Sequence, residues 1–430
     1  MKKHVSDTIL NTYDTVVIGG GPAGMMAAIS ARGAGKRVLL LEKNNHLGKK
    51  LLITGGGRCN LTNSEFDLRK FLANYKDSDK FLFSAFTQYG VRETLDFFHT
   101  KGMDTKVENE GRTFPVSDSA RSVYNVLVEE MSRVGVQVLL DVRVLGFTIT
   151  DAKKETYTTH VEQLEIEIGG VKHMVRAHKF ILATGGTSHP ETGSTGDAYP
   201  WLREMGHTVI IPKPVLVPVV IQDTWVKKLQ GITLPHVKIT VYADEEKVVS
   251  KKGRILCTHF GITGPTVLNT SKKINDLLEE KKKVTIQLDL LPEYDHGALN
   301  AKLQDVFSVH KSKMIKNTVG DIVPEAIVQS ILDRVGISDQ TVCSQVTREE
   351  RMHLIDQMKK MTMTVRGLLG EDKAIIASGG VPLTEIDFKT CSSRICDNVS
   401  IIGDRLDIDR PPGGYSLQLC WTTGYVAGKN

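Results

Sequence analysis

The sequence predicts an α/β fold with a parallel sheet at its N-terminal end, followed by a strand-rich domain and a helical segment. Residues 15–18 form a β-branched run, residues 19–24 a glycine-rich turn, and residues 25–31 have the apolar pattern of a helix. Residues 37–41 form a second apolar run of the strand type. Strand, turn, helix and strand within about 30 residues make a βαβ unit, which builds parallel sheets covered by helices on both faces.

The later residues change pattern twice, and each change predicts another part of the fold. From about residue 191 the apolar runs alternate with proline, glycine and charged turns, which predicts a strand-built second domain. Residues 296–361 instead have helical spacing, with Thr347 and Glu350 placed as in a capping box, so a helical insertion is expected. Further strands are expected at residues 136–149, 164–168, 178–184, 215–221, 237–242, 284–290, 363–368, 374–377 and 399–402.

Composition and charge are those of an ordinary globular protein. The chain has 430 residues, of which 40% are hydrophobic and 24% charged, unlike a disordered chain. The formal net charge of +5 is spread over the length, so it requires no polyanionic partner. The six cysteines are too scattered for a disulfide framework, and the uncharged stretch 15–31 is shorter than the roughly 20 residues of a membrane span. We therefore expect a cytoplasmic protein with no membrane partner.

Gly19, Gly21 and Gly24 have the G-x-G-x-x-G spacing of a dinucleotide-binding turn. The first glycine permits the tight turn, the second lets a diphosphate approach the backbone, and the third lets helix and strand pack closely. Glu42 ends the second strand 18 residues beyond Gly24, where its carboxylate can accept both ribose hydroxyls and would repel a 2′-phosphate. A dinucleotide site is predicted, the alternative being a glycine-rich turn without a ligand.

Two further segments favour FAD over NAD. Residues 48–60 form a second glycine-rich loop with basic side chains, placed where the far half of an extended dinucleotide would run. Near the C-terminus, Gly403 and Asp404 end a strand, and residues 412–415 open a helix. A carboxylate there can bind ribityl hydroxyls, and a helix N-terminus can stabilise the negative charge of a reduced flavin. Nicotinamide needs neither feature.

With these motifs in place, the chain resembles the BaiN/RdsA family of NAD(P)/FAD-dependent oxidoreductases, which also includes aminoacetone oxidase-like proteins. The resemblance spans nearly the whole chain and rests on VVIGGGPAGMMAA, LLEKNNHLGKKLLITGGGRCNLTN, GRTFPVSD, ILATGGTSHPETGSTGDAY, THFGITGP, ASGGV and GDRLDIDRPPGGYSLQLCWTTGYVAG. It implies a Rossmann-like FAD-binding domain, split by a β-rich, barrel-like domain that itself carries the helical insertion. The expected boundaries are residues 1–190, 191–295, 296–361, 362–395 and 396–430.

The resemblance also implies contacts to FAD. The named contacts are Glu42, Lys49, Arg58, the backbone of Val142 to adenine, Asp404 and Leu417. Asp404 departs from the family, where Glu is usual, and Arg410 stands where Gly is common. The full set predicted to bind the cofactor is Gly19, Gly21, Pro22, Ala23, Gly24, Glu42, Lys43, Lys49, Lys50, Leu51, Thr54, Gly55, Gly56, Gly57, Arg58, Cys59, Asn60, Val142, Ala183, Thr184, Gly185, Gly186, Gly403, Asp404, Gly413, Gly414, Tyr415, Ser416 and Leu417.

Few side chains need to be catalytic, because the flavin N5 carries the hydride. His259 and His189 are candidates for donating a proton to a reduced double bond, and Cys59 is a candidate thiol acid. Each also has a structural interpretation, and for Cys59 this is packing of a small buried residue. Cys391 and Cys396 have the spacing of a redox disulfide but lie far from the N-terminal nucleotide unit, which disfavours that role. Neither an H-E-x-x-H motif nor paired C-x-x-C motifs occur, so no metal site is predicted.

The first hypothesis is hydride transfer from NAD(P)H through FAD to a C=C bond of a small molecule, although the resemblance by itself does not single out this bond type. Members of the family are linked to bile-acid double-bond reduction, uridine reduction in ribosomal RNA and amine oxidation. No second complete G-x-G-x-x-G occurs, so NAD(P)H would bind transiently or through the strand-rich domain. The alternatives are an rRNA uridine reductase forming dihydrouridine, an oxidase of a small amine such as aminoacetone, and a flavin-bound sensing protein without turnover.

A ribosomal RNA substrate would need a basic surface. Acidic Glu279 and Glu280 interrupt the lysines around the helical insertion, so a solvated face is the competing interpretation. The lysines concerned are Lys272, Lys273, Lys281, Lys282, Lys283, Lys311, Lys313 and Lys316.

Overall fold

The computed structural model describes residues 12–152, 155–370 and 376–430. They belong to two compact units, one of residues Met1–Pro214 with Ile375–Asn430 and one of residues Val215–Ala374. The breaks after residues 214 and 374 differ from the boundaries expected after residues 190 and 395. The cause is a strand at Ile210–Val215 that pairs with a strand at Ile376–Gly380. The start of the strand expected at 374–377 lies outside the described residues.

The elements follow the chain in this order. The strands are β1 (Tyr13–Ile18), β2 (Val38–Leu41), β3 (Thr62–Asn63), β4 (Thr105–Val107), β5 (Arg112–Pro115), β6 (Gln137–Leu139), β7 (Val142–Asp151), β8 (Thr159–Ile168), β9 (Val171–Val175), β10 (Ala177–Leu182), β11 (Ile210–Val215), β12 (Val219–Ile221), β13 (Thr233–Ala243), β14 (Glu246–Cys257), β15 (Gly261–Thr263), β16 (Val284–Asp289), β17 (Met361–Leu368), β18 (Ile376–Gly380), β19 (Ile386–Asp387), β20 (Ser392–Ser393) and β21 (Val399–Ile401). The helices are α1 (Pro22–Gly33), α2 (Lys49–Ile53), α3 (Leu68–Leu72), α4 (Asp79–Gln88), α5 (Val91–His99), α6 (Ala120–Val134), α7 (Ala198–Glu204), α8 (Thr224–Lys228), α9 (Pro265–Glu279), α10 (His296–Val309), α11 (Ile315–Gly320), α12 (Glu325–Val335), α13 (Arg348–Lys360) and α14 (Tyr415–Lys429).

A seven-stranded sheet of order β19-β20-β21-β10-β1-β2-β6 forms the centre of the first unit. Strands β21, β10, β1, β2 and β6 are parallel, while β20 and β19 form an antiparallel edge. Strands β1 and β2 are buried almost throughout, as strands covered on both faces should be. Because the strands are parallel, β1, β2, β10 and β21 all end on the same side of the sheet, which we call its carboxyl edge. The segments that follow these four strands leave the sheet there.

Helix α14 packs against α1 through small residues. A Cβ on Gly424 would lie 2.5 Å from the carbonyl oxygen of Ala23, and one on Gly428 would lie 2.3 Å from that of Ala27. Any side chain at these positions would push the two backbones apart. Both contacts pair the second half of α14 with the first half of α1, so the two helices run side by side and α14 begins beyond the level at which α1 begins.

Buried hydrogen bonds fix the orientation of α14. Thr62 Oγ1 donates to Gln418 Oε1 (2.7 Å), and Gln418 Nε2 donates to Thr94 Oγ1 (2.8 Å). Trp421 Nε1 donates to the carbonyl oxygen of Leu61 (3.0 Å), and this indole is fully buried. These polar groups are satisfied inside the core, so rotation of α14 would leave them unpaired at a cost of about 1–3 kcal/mol each.

Two of the expected strands are broken in the structure. Residues 136–149 form β6, in the parallel sheet, and β7, in a separate sheet of order β7-β8-β9. Residues 215–221 likewise divide between β11 and β12. Asp141 and Leu216, which lie at the two breaks, have positive φ values of 56° and 55°. The apolar pattern runs across both turns, so hydrophobicity alone did not reveal them.

The second unit contains a closed antiparallel barrel of order β12-β15-β14-β13-β16-β17, as the predicted barrel-like domain requires. Its core includes Ile239, Val241 and Ile286, each fully buried. Helices α10 to α13 occupy the predicted helical insertion. At the start of α13 the Glu350 N–H donates to Thr347 Oγ1 (3.1 Å) and the Thr347 N–H donates to Glu350 Oε2 (2.8 Å), which confirms the capping box.

Within residues 12–152, 155–370 and 376–430, none of the helices combines the length and the apolar character that crossing a bilayer requires.

The contact between α1 and α14 predicts a contrast between two glycines. Gly428→Ala should lower the free energy of unfolding by about 1–3 kcal/mol or more, because its methyl group meets backbone. Gly33→Ala, on α1, should be neutral or stabilise by up to about 1 kcal/mol, because a Cβ there meets no atom of the described chain within 4 Å. Urea unfolding of both variants measures this, and equal losses would contradict the close packing.

Candidate cofactor site

A cavity opens at the carboxyl edge of the parallel sheet, with about 940 Å³ of empty space including the solvent at its mouth. Residues at the ends of β1, β2, β10 and β21 line it. They include Ile18 and Leu41, which end β1 and β2, and Ala183 and Ile402, which directly follow β10 and β21. The position of the cavity at the strand ends is where parallel α/β sheets bind their ligands.

The geometry at the three glycines of the turn is compatible with the roles expected from their spacing. Gly19 has φ +106°, and a Cβ there would lie 2.5 Å from the carbonyl oxygen of Ala183. A Cβ on Gly24 would lie 1.9 Å from the carbonyl oxygen of Gly19, so this glycine permits close packing of helix and strand. A Cβ on Gly21 would meet no atom of the described chain within 4 Å, and Gly21 lines the cavity. The space beside Gly21 and the N–H groups at the start of α1 fit a diphosphate.

Glu42 is buried at the end of β2 and lines the cavity. Its Oε2 accepts a hydrogen bond from the Gly20 N–H (2.7 Å), and its Oε1 accepts from the backbone and side-chain amides of Asn44 (2.8 and 2.7 Å). These bonds fix the carboxylate at the turn. A carboxylate has about four acceptor positions, so at least one remains for a ribose hydroxyl.

The lysines that follow β2 differ in the acceptors that their ammonium groups contact. Lys43 Nζ donates to Asp197 Oδ2 and Thr195 Oγ1 (both 2.6 Å), and Lys49 Nζ donates to Asn44 Oδ1 (2.9 Å). Both lysines line the cavity. Lys43 is thus held by two acceptors, one of them a carboxylate, whereas Lys49 has a single neutral acceptor.

Lys50 also lines the cavity, and its ammonium is less well paired. Its one hydrogen-bond acceptor among the described residues is the neutral hydroxyl of Ser188 (3.2 Å). Burial lowers the pKa of Lys50, and the charge of Asp404 opposes that shift. A desolvated cation with unused N–H groups fits an anionic group of a ligand in the cavity.

Asp404 enters the cavity from the other side, just after β21. Its Oδ1 accepts a hydrogen bond from Nη2 of Arg410. Burial by itself raises the pKa of this carboxyl, but the charges of Arg410, Lys50 and Arg405 hold it below its usual value. An ionised carboxylate at this place fits the ribityl hydroxyls expected from the sequence.

Val142 lies in the cavity wall, as expected for a residue beside adenine. Its N–H donates to the carbonyl oxygen of Glu42 (3.0 Å), so this donor is already used. The residues predicted from the sequence that do line the cavity are Gly19, Gly21, Pro22, Ala23, Glu42, Lys43, Lys49, Lys50, Val142, Ala183, Thr184, Gly185, Gly403 and Asp404.

The structure does not bring the second half of the loop 48–60 to the cavity lining. Arg58 instead pairs with Glu108 and with Asp118, and its guanidinium carbon lies 4.2 Å from the ring centroid of Phe114. Cys59 is fully buried, and burial raises the pKa of its thiol to about 12, so the thiol stays protonated. The other predicted residues outside the lining are Gly24, Leu51, Thr54, Gly55, Gly56, Gly57, Asn60, Gly186, Gly413, Gly414, Tyr415, Ser416 and Leu417.

The two histidine candidates lie in different units. His189 is in the first unit, with φ +54°, and its Nδ1 lies 2.8 Å from Glu191 Oε1. His259 is an exposed residue of the second unit, with its ring 4.9 Å from that of Phe260. Neither is among the residues that line the cavity.

The cysteines of the C-x4-C pair are both free and buried. Burial raises the pKa of Cys391 to about 12 and also raises that of Cys396. Neutral, buried thiols are poor nucleophiles for disulfide exchange, which agrees with the interpretation that disfavoured a redox role.

Sequence reasoning missed part of the cavity wall. Asn44 had a local signal, because it stands two residues after Glu42 at the same strand end. The segment 192–197 belongs to the motif ILATGGTSHPETGSTGDAY, and its Gly, Ser and Thr content is typical of a loop. The lining residues missed are Ile18, Leu41, Asn44, Gly48, Arg143, Val144, Thr192, Gly193, Ser194, Asp197, Trp201, Ile402 and Cys420.

Comparison with known proteins gives one family and several full-length relatives. The family model described as HI0933-like protein Rossmann domain matches residues 13–430. A 3-dehydro-bile acid delta(4,6)-reductase of Clostridium scindens is 31% identical over 419 residues, covering 96% of this chain and 97% of that protein. A ribosomal RNA dihydrouridine synthase of Escherichia coli is 28% identical over 424 residues, covering 98% of each chain.

Solved structures agree on the fold. A 3-ketosteroid delta1-dehydrogenase of Sterolibacterium denitrificans superposes with a TM-score of 0.54 at 13% identity, covering 97% of this chain and 99% of that one. A 3-ketosteroid-delta4-(5alpha)-dehydrogenase of Rhodococcus jostii RHA1 gives a TM-score of 0.53 at 14% identity, covering 99% and 98%. The full-length family match and the relatives agree with the resemblance seen in the motifs. The chain therefore belongs to the HI0933-like Rossmann family, the BaiN/RdsA type of FAD-dependent oxidoreductase.

Proposed function

We propose that this enzyme binds FAD in the cavity at the sheet edge and transfers hydride from NAD(P)H to a C=C bond of a small-molecule substrate. The observation that carries the proposal is the open space beside Gly21, at the N-terminus of α1 and between the carboxylates of Glu42 and Asp404. When bound, FAD supplies the hydride chemistry at N5. The chain would hold its diphosphate at the turn, a ribose at Glu42 and the ribityl hydroxyls at Asp404.

The names of two full-length relatives support reduction of a double bond. One is called a delta(4,6)-reductase and the other a dihydrouridine synthase, and both names describe addition of hydrogen across C=C. Such a reduction adds one hydride and one proton, so a proton donor or water must reach the second carbon. His189 and His259 remain the proposed donors, while the buried, protonated Cys59 fits packing better.

All six cysteines are free and buried, which supports a reducing, cytoplasmic setting.

Ribosomal RNA is the second candidate substrate, because the Escherichia coli relative that matches over 98% of each chain is named for it. The charge pattern offers less support. Lys282 pairs with Glu280 (2.7 Å) and Lys316 with Asp339 (3.1 Å), so part of the positive charge is already neutralised. Oxidation of a small amine such as aminoacetone is the third candidate.

Anaerobic reduction of the bound flavin distinguishes these candidates. NADH or NADPH should bleach the absorbance near 450 nm (about where flavins absorb) in a stopped-flow experiment. The colour should then return on adding an unsaturated steroid-type ketone, but not on adding rRNA. Return of colour with rRNA alone would select the second candidate, and bleaching by aminoacetone but by neither nicotinamide would select the third.

The open space at Gly21 predicts a variant that folds without cofactor. Gly21→Ala should unfold like the wild type, because the methyl group meets no described atom, yet raise the Kd for FAD by at least about tenfold by occupying the diphosphate space. Gly33→Ala, at the last residue of α1, should leave FAD binding unchanged. Flavin content and fluorescence titration of the apoprotein measure both, and full FAD retention by Gly21→Ala would contradict the proposed diphosphate position.

Lys50 predicts a pH dependence of FAD affinity. Its pKa is lowered, so the ammonium loses its proton at a pH below that of an ordinary lysine, and FAD affinity should fall as pH rises through that value. Lys50→Arg should abolish this alkaline loss, because a guanidinium stays charged. Lys50→Met should raise the Kd about tenfold or more at neutral pH.

Lys49→Met serves as the comparison, because Lys49 is the neighbouring lysine in the same cavity wall and also has one neutral acceptor. It should keep the alkaline loss of affinity. Fluorescence titrations with FAD over the alkaline pH range measure this. If Lys50→Arg loses FAD affinity with rising pH as the wild type does, Lys50 is not the source of that loss.

A further inference from the structure

Arg410 lies in the irregular loop between β21 and α14, with its side chain only 1% exposed. We propose that Arg410 is a positioning residue for Asp404, holding one carboxylate oxygen so that the other faces the cofactor. The inference rests on the proposed FAD binding and adds to it a residue outside the cavity lining.

The guanidinium of Arg410 is fixed in three directions. Nε donates to Ser416 Oγ (2.9 Å), Nη1 donates to the carbonyl oxygen of Ile408 (2.9 Å), and Nη2 donates to Asp404 Oδ1. Because the guanidinium is planar, it cannot turn away from Asp404 without losing the other two bonds. Arg410 therefore ties the start of α14 and the loop backbone to the carboxylate.

Asp404 is left with one oxygen for a ligand. Its Oδ2 has no hydrogen-bond partner among the described residues, and the residue lines the cavity with 18% of its side chain exposed. A buried carboxylate without a fixed partner would be costly and free to rotate. With Oδ1 held by Arg410, the remaining lone pairs of Oδ2 are available to ribityl hydroxyls.

The same contact keeps Asp404 ionised. Burial raises the pKa of Asp404, and among the neighbouring cations Arg410 lowers it most. Removing Arg410 should therefore let the pKa of Asp404 rise, so that the carboxyl takes up a proton in weakly acidic solution. The other charged or titratable groups that face it are Lys50 on α2, the adjacent Arg405, Tyr199 on α7 and Cys420 on α14.

A double-mutant cycle on FAD affinity tests the inference. Arg410→Met and Asp404→Asn should each raise the FAD Kd about tenfold, while the double variant should bind no more weakly than Asp404→Asn alone. Arg410→Met should also show a loss of affinity in weakly acidic solution, absent from the wild type and from Asp404→Asn. Arg133→Met, which breaks an arginine–carboxylate pair at Glu130 on α6, should leave the Kd unchanged.

The outcomes separate this inference from the function on which it rests. A wild-type apoprotein that fails to bind FAD removes the proposed function itself. Suppose that the wild type binds FAD but the two losses of FAD affinity add in the double variant, or that Arg410→Met keeps its FAD affinity in weakly acidic solution. Arg410 then has only a structural role. Should Arg410→Met fail to fold, Arg410→Lys keeps the charge without the three-way geometry. Arg410→Lys should then bind FAD several-fold more weakly than the wild type, without a further loss of affinity in acidic solution. Wild-type FAD affinity in that variant would overturn the inference.

Discussion

The close approach of backbone segments at the end of β1 is the constraint on which the site depends. Gly24 lies against the Gly19 carbonyl and Gly19 against that of Ala183, so strand, turn and helix are in backbone contact. Gly424 and Gly428 bring α14 equally close to α1. The result is one sheet edge where several peptide N–H groups and strand ends face the same space, which only residues without a side chain permit.

Charge gives this space its chemical preference. Lys43 is paired with the carboxylate of Asp197, whereas Lys49 and Lys50 each have one neutral acceptor, and Asp404 is held ionised by cations around it. The wall thus offers N–H groups and ammonium groups to an anion, and two carboxylates to hydroxyl groups. A dinucleotide carries both kinds of group, which connects the geometry of the cavity to the family of flavoenzymes.

Sequence reasoning succeeded where function depends on neighbours along the chain. The glycine turn, Glu42 after β2, Asp404 after β21 and the capping box at Thr347 follow from short-range spacing, and the structure shows each arrangement. It did not predict the partners of Arg58, because an isolated basic residue in a glycine loop does not reveal that Glu108 and Asp118 are close enough to bind it. The broken strands at Asp141 and Leu216 escaped because an apolar pattern does not record a change of φ.

The sequence by itself determined the parallel α/β class, the dinucleotide turn and the family, because these are encoded in local periodicity and in motifs a few residues long. Only the tertiary structure decided which charges remain available. The partners of Lys43, Lys50 and Arg58 come from residues at least 50 positions away, and Arg410 reaches Asp404 through a loop whose path no periodicity predicts. Electrostatic pairing depends on distances in space, and these exist only once the chain has folded.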